Sequence, residues 1–240
     1  MTRFSLFQWG PFVLGLLLAT SAAAQSPAPA AAPARSRLLP AQAYPALLGA
    51  RIGYGSFRLS GTEVDFQTDP AGAAAHNEPL AALTLGLVVR ARLAGPLAFQ
   101  TELDYVRKGG QLTSPAHAPN TSFAIDYLQI PALLHLALLR AGHLTLAAEA
   151  GYAANLSMGG PVIDYRAYPP GTDLTVRGLV FAPVLGAEVS WQQQNHHYLL
   201  HARYSRDQTD FYRRTFDGQT YTLRNQGFTL TAGMLLGFDK

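Results

Sequence analysis

Acids and bases recur two residues apart along this chain. Glu102 and Asp104, Arg90 and Arg92, and His201 and Arg203 form such pairs, and Arg51, Lys108, His135, Glu149 and Glu188 stand singly. Acids beside bases are the raw material of general acid–base catalysis. Glu188, His201 and Ser205 supply an acid, an imidazole and a hydroxyl, the components of a hydrolytic set. His196, His197 and His201 offer nitrogens for a metal ion, and Asp207, Asp210 and Asp217 offer oxygens for calcium. Between Arg206 and Arg224, the residues Tyr212, Arg213, Arg214, Phe216 and Tyr221 mix guanidinium with aromatic groups, a composition suited to anions or partner surfaces.

The elements that carry these residues decide among the readings. From Asn225 to the end, large apolar residues fall on alternate positions: Phe228, Leu230, Ala232, Met234, Leu236 and Phe238, with Leu235 the exception. Period two means a strand with one apolar face and one small or polar face. Seven earlier segments are strand-like, at about 47–57, 80–93, 97–108, 123–139, 143–156, 174–191 and 197–205, and the sixth of these is nearly continuously apolar until Gly186. Their lengths suit tilted strands crossing a bilayer, which need roughly 9–11 residues. The expected fold is all-β, an eight-stranded antiparallel transmembrane barrel of up-and-down meander type, covering 45–240.

Connection lengths strengthen the expectation. Long stretches at 60–79, 109–122, 157–173 and 206–224 alternate with short joints at 94–96, 140–142 and 192–196. Outer-membrane barrels place long loops outside and short turns in the periplasm. An even strand number then puts both chain ends in the periplasm. Phe99, Trp191, Tyr198 and Phe238 fall near one rim, and Tyr54, Tyr105, Tyr152, Tyr204 and Phe228 near the other, as two aromatic girdles would. Phe228, Leu230, Met234, Leu236 and Phe238 also form an amphipathic final strand that resembles the C-terminal signal by which barrel-insertion machinery recognises outer-membrane barrels.

The start of the chain agrees. Arg3, the apolar run Phe12–Ala19 and Ala22-Ala23-Ala24 predict a secretory signal peptide over 1–24. Residues 25–44, rich in Ala and Pro, read as a periplasmic linker. There is no cysteine, hence no disulfide and no lipid-anchor cysteine. Only 14% of residues are charged, against about 25% in soluble domains. The formal charge of +3 is too small to suggest nucleic acid as a partner.

Within this frame the inward faces carry Arg51, Arg90, Arg92, Glu102, Asp104, Glu149, Glu188, His201 and Arg203. An eight-stranded barrel has room inside only for side chains. Buried charges must then pair with one another, so a lumen network is expected rather than catalysis or a wide pore. His197 and His201 share a face but lie about 13 Å apart along a strand, too far for one ion. The three aspartates lack the spacing of a calcium loop. No cofactor, metal or enzymatic activity is expected. The expected role is a scaffold whose loops meet envelope lipid, lipopolysaccharide, a protein partner or an external ligand, with Tyr212, Arg213, Arg214, Phe216 and Tyr221 as the recognition residues. A soluble periplasmic ligand-binding barrel and a small lipid-modifying enzyme are the alternatives.

Tyr127–Leu136 (YLQIPALLHL), the run Ala202-Arg203-Tyr204-Ser205, Asn225 as a polar entry to the last strand, and that strand itself resemble the PorT-like outer-membrane β-barrel family. The resemblance spans about 45–240, implies the same barrel and a tolerated Pro131, and admits an accessory role in protein secretion. Asp239 and Lys240 depart from it by following the last aromatic.

Overall fold

The computed structural model describes residues 45–64, 76–114, 117–159, 162–163, 173–216 and 218–238, all within one compact unit, Ser36–Lys240. The expected signal peptide, linker and last two residues lie outside these. Eight strands close into a ring: β1 (Ala46–Ser60), β2 (His76–Ala94), β3 (Leu97–Ser114), β4 (His117–Ala141), β5 (Leu144–Ser157), β8 (Leu179–Gln193), β9 (His196–Arg206) and β11 (Gln219–Phe238). Each pairs antiparallel with the next, and β1 closes the ring on β11 from Ala46↔Phe238 to Ser60↔Arg224. Three short strands and a helical turn at 62–64 accompany the ring: β6 (Val162–Ile163) lies on β4, β10 (Tyr212–Phe216) on the extension of β11, and β7 (Asp173–Val176) on β10.

Turn chemistry fixes one end. Ala94 pairs with Leu97, Ala141 with Leu144, and Gln193 with His196, so each joint is a two-residue hairpin. The first turn residues Gly95, Gly142 and Gln194 have φ of 51°, 60° and 55°. A positive φ at that position is what a II′ hairpin turn requires, and it matches the twist of the flanking strands. Ala46 and Phe238 meet at this same end.

The alternation of side chains then sorts the faces. Leu48, Ile52, Leu85, Leu87, Leu103, Leu134, Leu185, Leu200 and Leu230 are exposed on the outside. Phe99, Trp191, Tyr198 and Phe238 ring the short-turn end of that apolar belt, and Tyr54, Tyr152 and Phe228 ring the other. An apolar exterior of this extent is unstable in water and suited to lipid.

The strands run further than the sequence pattern suggested. β4 has 25 residues, and most of the stretch expected to be a loop at 109–122 belongs to β3 and β4. Beyond the outer aromatics the two faces exchange character. Arg107 and Asp126 point out and pair at 2.7 Å, while Leu112, Phe123, Ile125 and Tyr127 point in. A search for an apolar outward face stops where that exchange begins. The sixth expected segment, 174–191, divides into β7 and β8.

Inside, apolar layers enclose a polar one. Along β1 the inward residues run Leu47, Arg51, Phe57, Leu59. Leu47 joins Val88, Leu199 and Leu235 in a cluster at the short-turn end, which explains Leu235 as an inward residue. Phe57 and Leu59 join Val106, Leu112, Phe123, Ile125, Tyr127, Phe211, Tyr212 and Leu223 at the other. The ring of Phe123 meets Tyr212 edge-on at 5.4 Å and Phe211 at 6.4 Å. Pro131 is accommodated within this wall. It lacks an N–H, its pairing with β5 is kept through Ala153, and its carbonyl accepts the Thr101 hydroxyl at 3.0 Å.

Candidate functional site

The inward charges form one network in the middle of the barrel. Arg51 Nε donates to Asp104 Oδ1 at 3.2 Å and Nη2 to Oδ2 at 2.6 Å, and Arg51 also pairs with Glu102. Arg203 donates to both oxygens of Glu102 at 2.6 and 2.8 Å and to Glu149 at 2.7 Å. Arg90 donates to Glu188 through two nitrogens, one at 3.0 Å. Planar guanidinium groups suit such two-pronged contacts. Gln100, expected on the same inward face as Glu102 and Asp104, bridges the pairs: it accepts from Arg90 and donates to Glu102 and to Glu149. It stands two residues before Glu102, and period two puts both on one face.

Small residues make room for these groups. A Cβ on Gly86 would lie 1.8 Å from Asp104 Oδ1, and one on Gly186 would lie 2.7 Å from Arg203 Cγ. The alternation of charge with glycine across neighbouring strands is thus a packing requirement of the network.

His201 is held from both sides. Its Nδ1 lies 3.3 Å from Arg51 Nη1 and 3.0 Å from Arg203 Nη2, and Nε2 meets Glu188. Arginine nitrogens only donate, so Nδ1 accepts and Nε2 carries the proton toward Glu188. That leaves no lone pair for activating a hydroxyl. Ser205 lies four residues away on β9, about 13 Å along the strand, and lines a small cavity with Arg51, Thr84, Gln129 and Arg203. The three residues of the considered hydrolytic set are therefore not assembled as one.

His135, Glu149 and Glu188 do bring ligand atoms within 4.8 Å of one another. His135 Nε2 stands 3.4 Å from Glu188 Oε1 without the alignment of a hydrogen bond. The carboxylates, however, already accept from Arg90, Arg203 and Gln100, and those guanidinium charges oppose a further cation there. His197 is buried on the same face as His201 and does not join this trio.

Arg92 departs from expectation. It is exposed at the short-turn end, where its backbone N–H donates to Pro45 O at 2.9 Å, and it takes no part in the central cluster. The row it occupies lies past the end of the lumen.

A second polar layer joins the network to the upper apolar cluster. Lys108 is buried, donates to Asn155 Oδ1 at 3.0 Å, and lies 4.0 Å from Asp207. Its ammonium sits 5.4 Å from the Phe57 ring centre and 5.8 Å from that of Tyr127. Asn225 donates to Asp207 through backbone and side chain at 3.1 and 3.0 Å. Burial pushes the Asp207 carboxyl above its ordinary range, against the opposing pull of Lys108 and Asn225.

The candidate recognition residues separate into two groups. Arg213 is exposed and pairs with Asp210 at 3.4 Å. Tyr212 and Arg214 point inward and are buried, so they cannot form an open recognition surface. Arg214 donates to Glu63 at 3.0 and 3.2 Å and stacks on Tyr221 at 4.7 Å. The hairpin alternates like any strand pair, and the sequence run hides which alternate set turns inward. The Phe216 side chain lies outside the described residues, as does Asp217.

A closed antiparallel ring with an apolar exterior and a paired-charge interior is now established, and comparison with known proteins agrees. A family model described as outer membrane protein beta-barrel domain matches residues 41–168, over half of the chain. The chain belongs to that family. It is an outer-membrane β-barrel protein of bacterial type. The crystal structure of the outer membrane protein OprG from Pseudomonas aeruginosa superposes with a TM-score of 0.58 at 9% identity, covering 82% of this chain and 98% of that one. Neisserial surface protein A gives 0.44 at 14% identity, covering 80% and 97%. The OprG likeness concerns fold alone. No curated protein sequence matches.

Proposed function

We propose that this protein is a non-enzymatic, non-conducting scaffold of the outer membrane, with its short turns and both ends in the periplasm. Its working surface is the long-loop end, which recognises a phosphate-bearing envelope lipid or a protein partner. The observation that carries this reading is the filled lumen: the Arg51–Glu102–Arg203–Glu149 charge layer lies between the Leu47–Leu235 and Phe57–Phe211 clusters. Side chains that satisfy one another leave neither a water column nor a reactive group poised for substrate. Function then falls to the surface that a rigid scaffold presents. The resemblance to PorT-like barrels admits an accessory place in secretion as one form of that role.

Pure protein in vesicles of outer-membrane lipid tests the reading. The expected result is no solute-driven swelling and no release of fatty acid. Rapid swelling would make it a channel, and fatty-acid release abolished by Ser205→Ala in a folded barrel would make it a lipid hydrolase.

A further inference from the structure

Immediately beyond the outer aromatics, the outward face becomes basic along one seam of the barrel. The register places Arg58 on β1 opposite Gln226 on β11, and Gln226 opposite Arg206 on β9. One row nearer the short turns stand Ser56, Phe228 and Tyr204, with the Tyr204 and Phe228 rings 4.9 Å apart. Arg58 and Arg206 are exposed and make no ion pair with a described residue. Arg224, one row further out, is instead held by Asp210 at 2.6 Å. A cleft of about 330 Å³ opens between these rows, lined by Ser56, Arg58, Tyr204, Gln226, Gly227 and Phe228.

The height of this row in the membrane follows from strand geometry. From Phe238 to Phe228 the β11 backbone covers about 33 Å, or about 25 Å along the membrane normal at the usual tilt. That is the height of the apolar band of an outer-membrane barrel, so Gln226 and its flanking arginines reach headgroup level. Arg58 and Arg206 are two strand spacings apart, about 10 Å at the backbone, a gap that two side chains of arginine length can span from either side of Gln226. A guanidinium fork matches phosphate oxygens, and at the edge of the hydrocarbon it is less screened than in water.

We propose that this cleft binds the phosphate group of an outer-leaflet lipid. Arg58 and Arg206 clamp the phosphate, Gln226 supplies a neutral hydrogen-bonding group between them, and Tyr204 and Phe228 pack against the upper part of the acyl chains. The proposal rests on the reading of the long-loop end as the external surface, and it names the ligand class and the residues of that surface.

Native mass spectrometry of the folded barrel, released from detergent after incubation with lipid A, tests it. The wild type should retain lipid A. The double variant Arg58→Ala, Arg206→Ala should retain it about tenfold less or weaker still. Arg58→Lys with Arg206→Lys should recover part of the loss, and Arg92→Ala, at the opposite end of the barrel, should change nothing. A heat-dependent shift in electrophoretic migration verifies that each variant is folded. Equal retention by the wild type and the double alanine variant overturns the proposal. So does equal retention of lipid A stripped of its phosphates. Binding of inorganic phosphate as strong as that of lipid A would assign the site to a soluble anion and overturn the lipid reading. None of these outcomes depends on solute flux, so this proposal and the scaffold reading fail separately.

Discussion

Arg203 joins two of the interior acids. Its guanidinium donates to Glu102 and Glu149 and lies beside the His201 ring. Removing it leaves two carboxylates buried without that partner, and breaking a buried pair from one side costs about 3–5 kcal/mol. Arg203→Ala should therefore lower the denaturant midpoint of the folded, fast-migrating form sharply. Arg213→Ala, which removes an exposed partner of Asp210, should shift it by less than about 0.5 kcal/mol. Equal midpoints for the two variants would show that the network contributes no more than a surface pair. At this scale the sequence was readable wherever a charge stood on the inward alternate set between two strand ends: Arg51, Arg90, Glu102, Asp104, Glu149, Glu188, His201 and Arg203 all meet in the lumen. Arg92 had the right parity and the wrong height, and parity alone carries no height.

The strands themselves were legible through their lipid-facing side and illegible beyond it. Alternating Leu, Val, Phe and Tyr marked the belt on the strands, with the stretch before Gly186 nearly continuously apolar instead, and the II′ turns at Gly95 and Gly142 marked one end. Past the outer aromatics the apolar residues move to the inside, where Phe123, Ile125 and Tyr127 build a packed layer with Phe211 and Tyr212. Tyr212 and Arg214 belong to that interior for the same reason, because β10 alternates and the set they share faces the lumen. This layer should behave as a core. Phe123→Ala should destabilise the folded barrel by about 3–5 kcal/mol, the usual cost of truncating a buried phenylalanine. A midpoint within error of the wild type would mean that the long-loop end is not packed. Gly86→Ala tests the layer below. A methyl group there would displace the Asp104 carboxylate from Arg51, at about 1–3 kcal/mol for an overpacked site. Gly178→Ala, where a Cβ meets nothing within 4 Å, is the neutral comparison.

On the scale of the whole molecule, the barrel is a wall with a filled interior. Its outer surface satisfies lipid, its ring leaves no free strand edge, and its lumen is closed by apolar layers on either side of a charged one. Fold and membrane were therefore readable from periodicity and connection lengths. The role was not, because rim residues such as Arg58, Gln226 and Arg206 come together only through the register of strands far apart in sequence. The central claim is that nothing passes through this barrel and that its function lies at its rim. Planar-bilayer recording of the pure, folded protein tests that most directly. The account predicts a quiet baseline with no stable current steps across the voltage range. Reproducible nanosiemens-scale steps that vanish when the protein is heat-unfolded would contradict it.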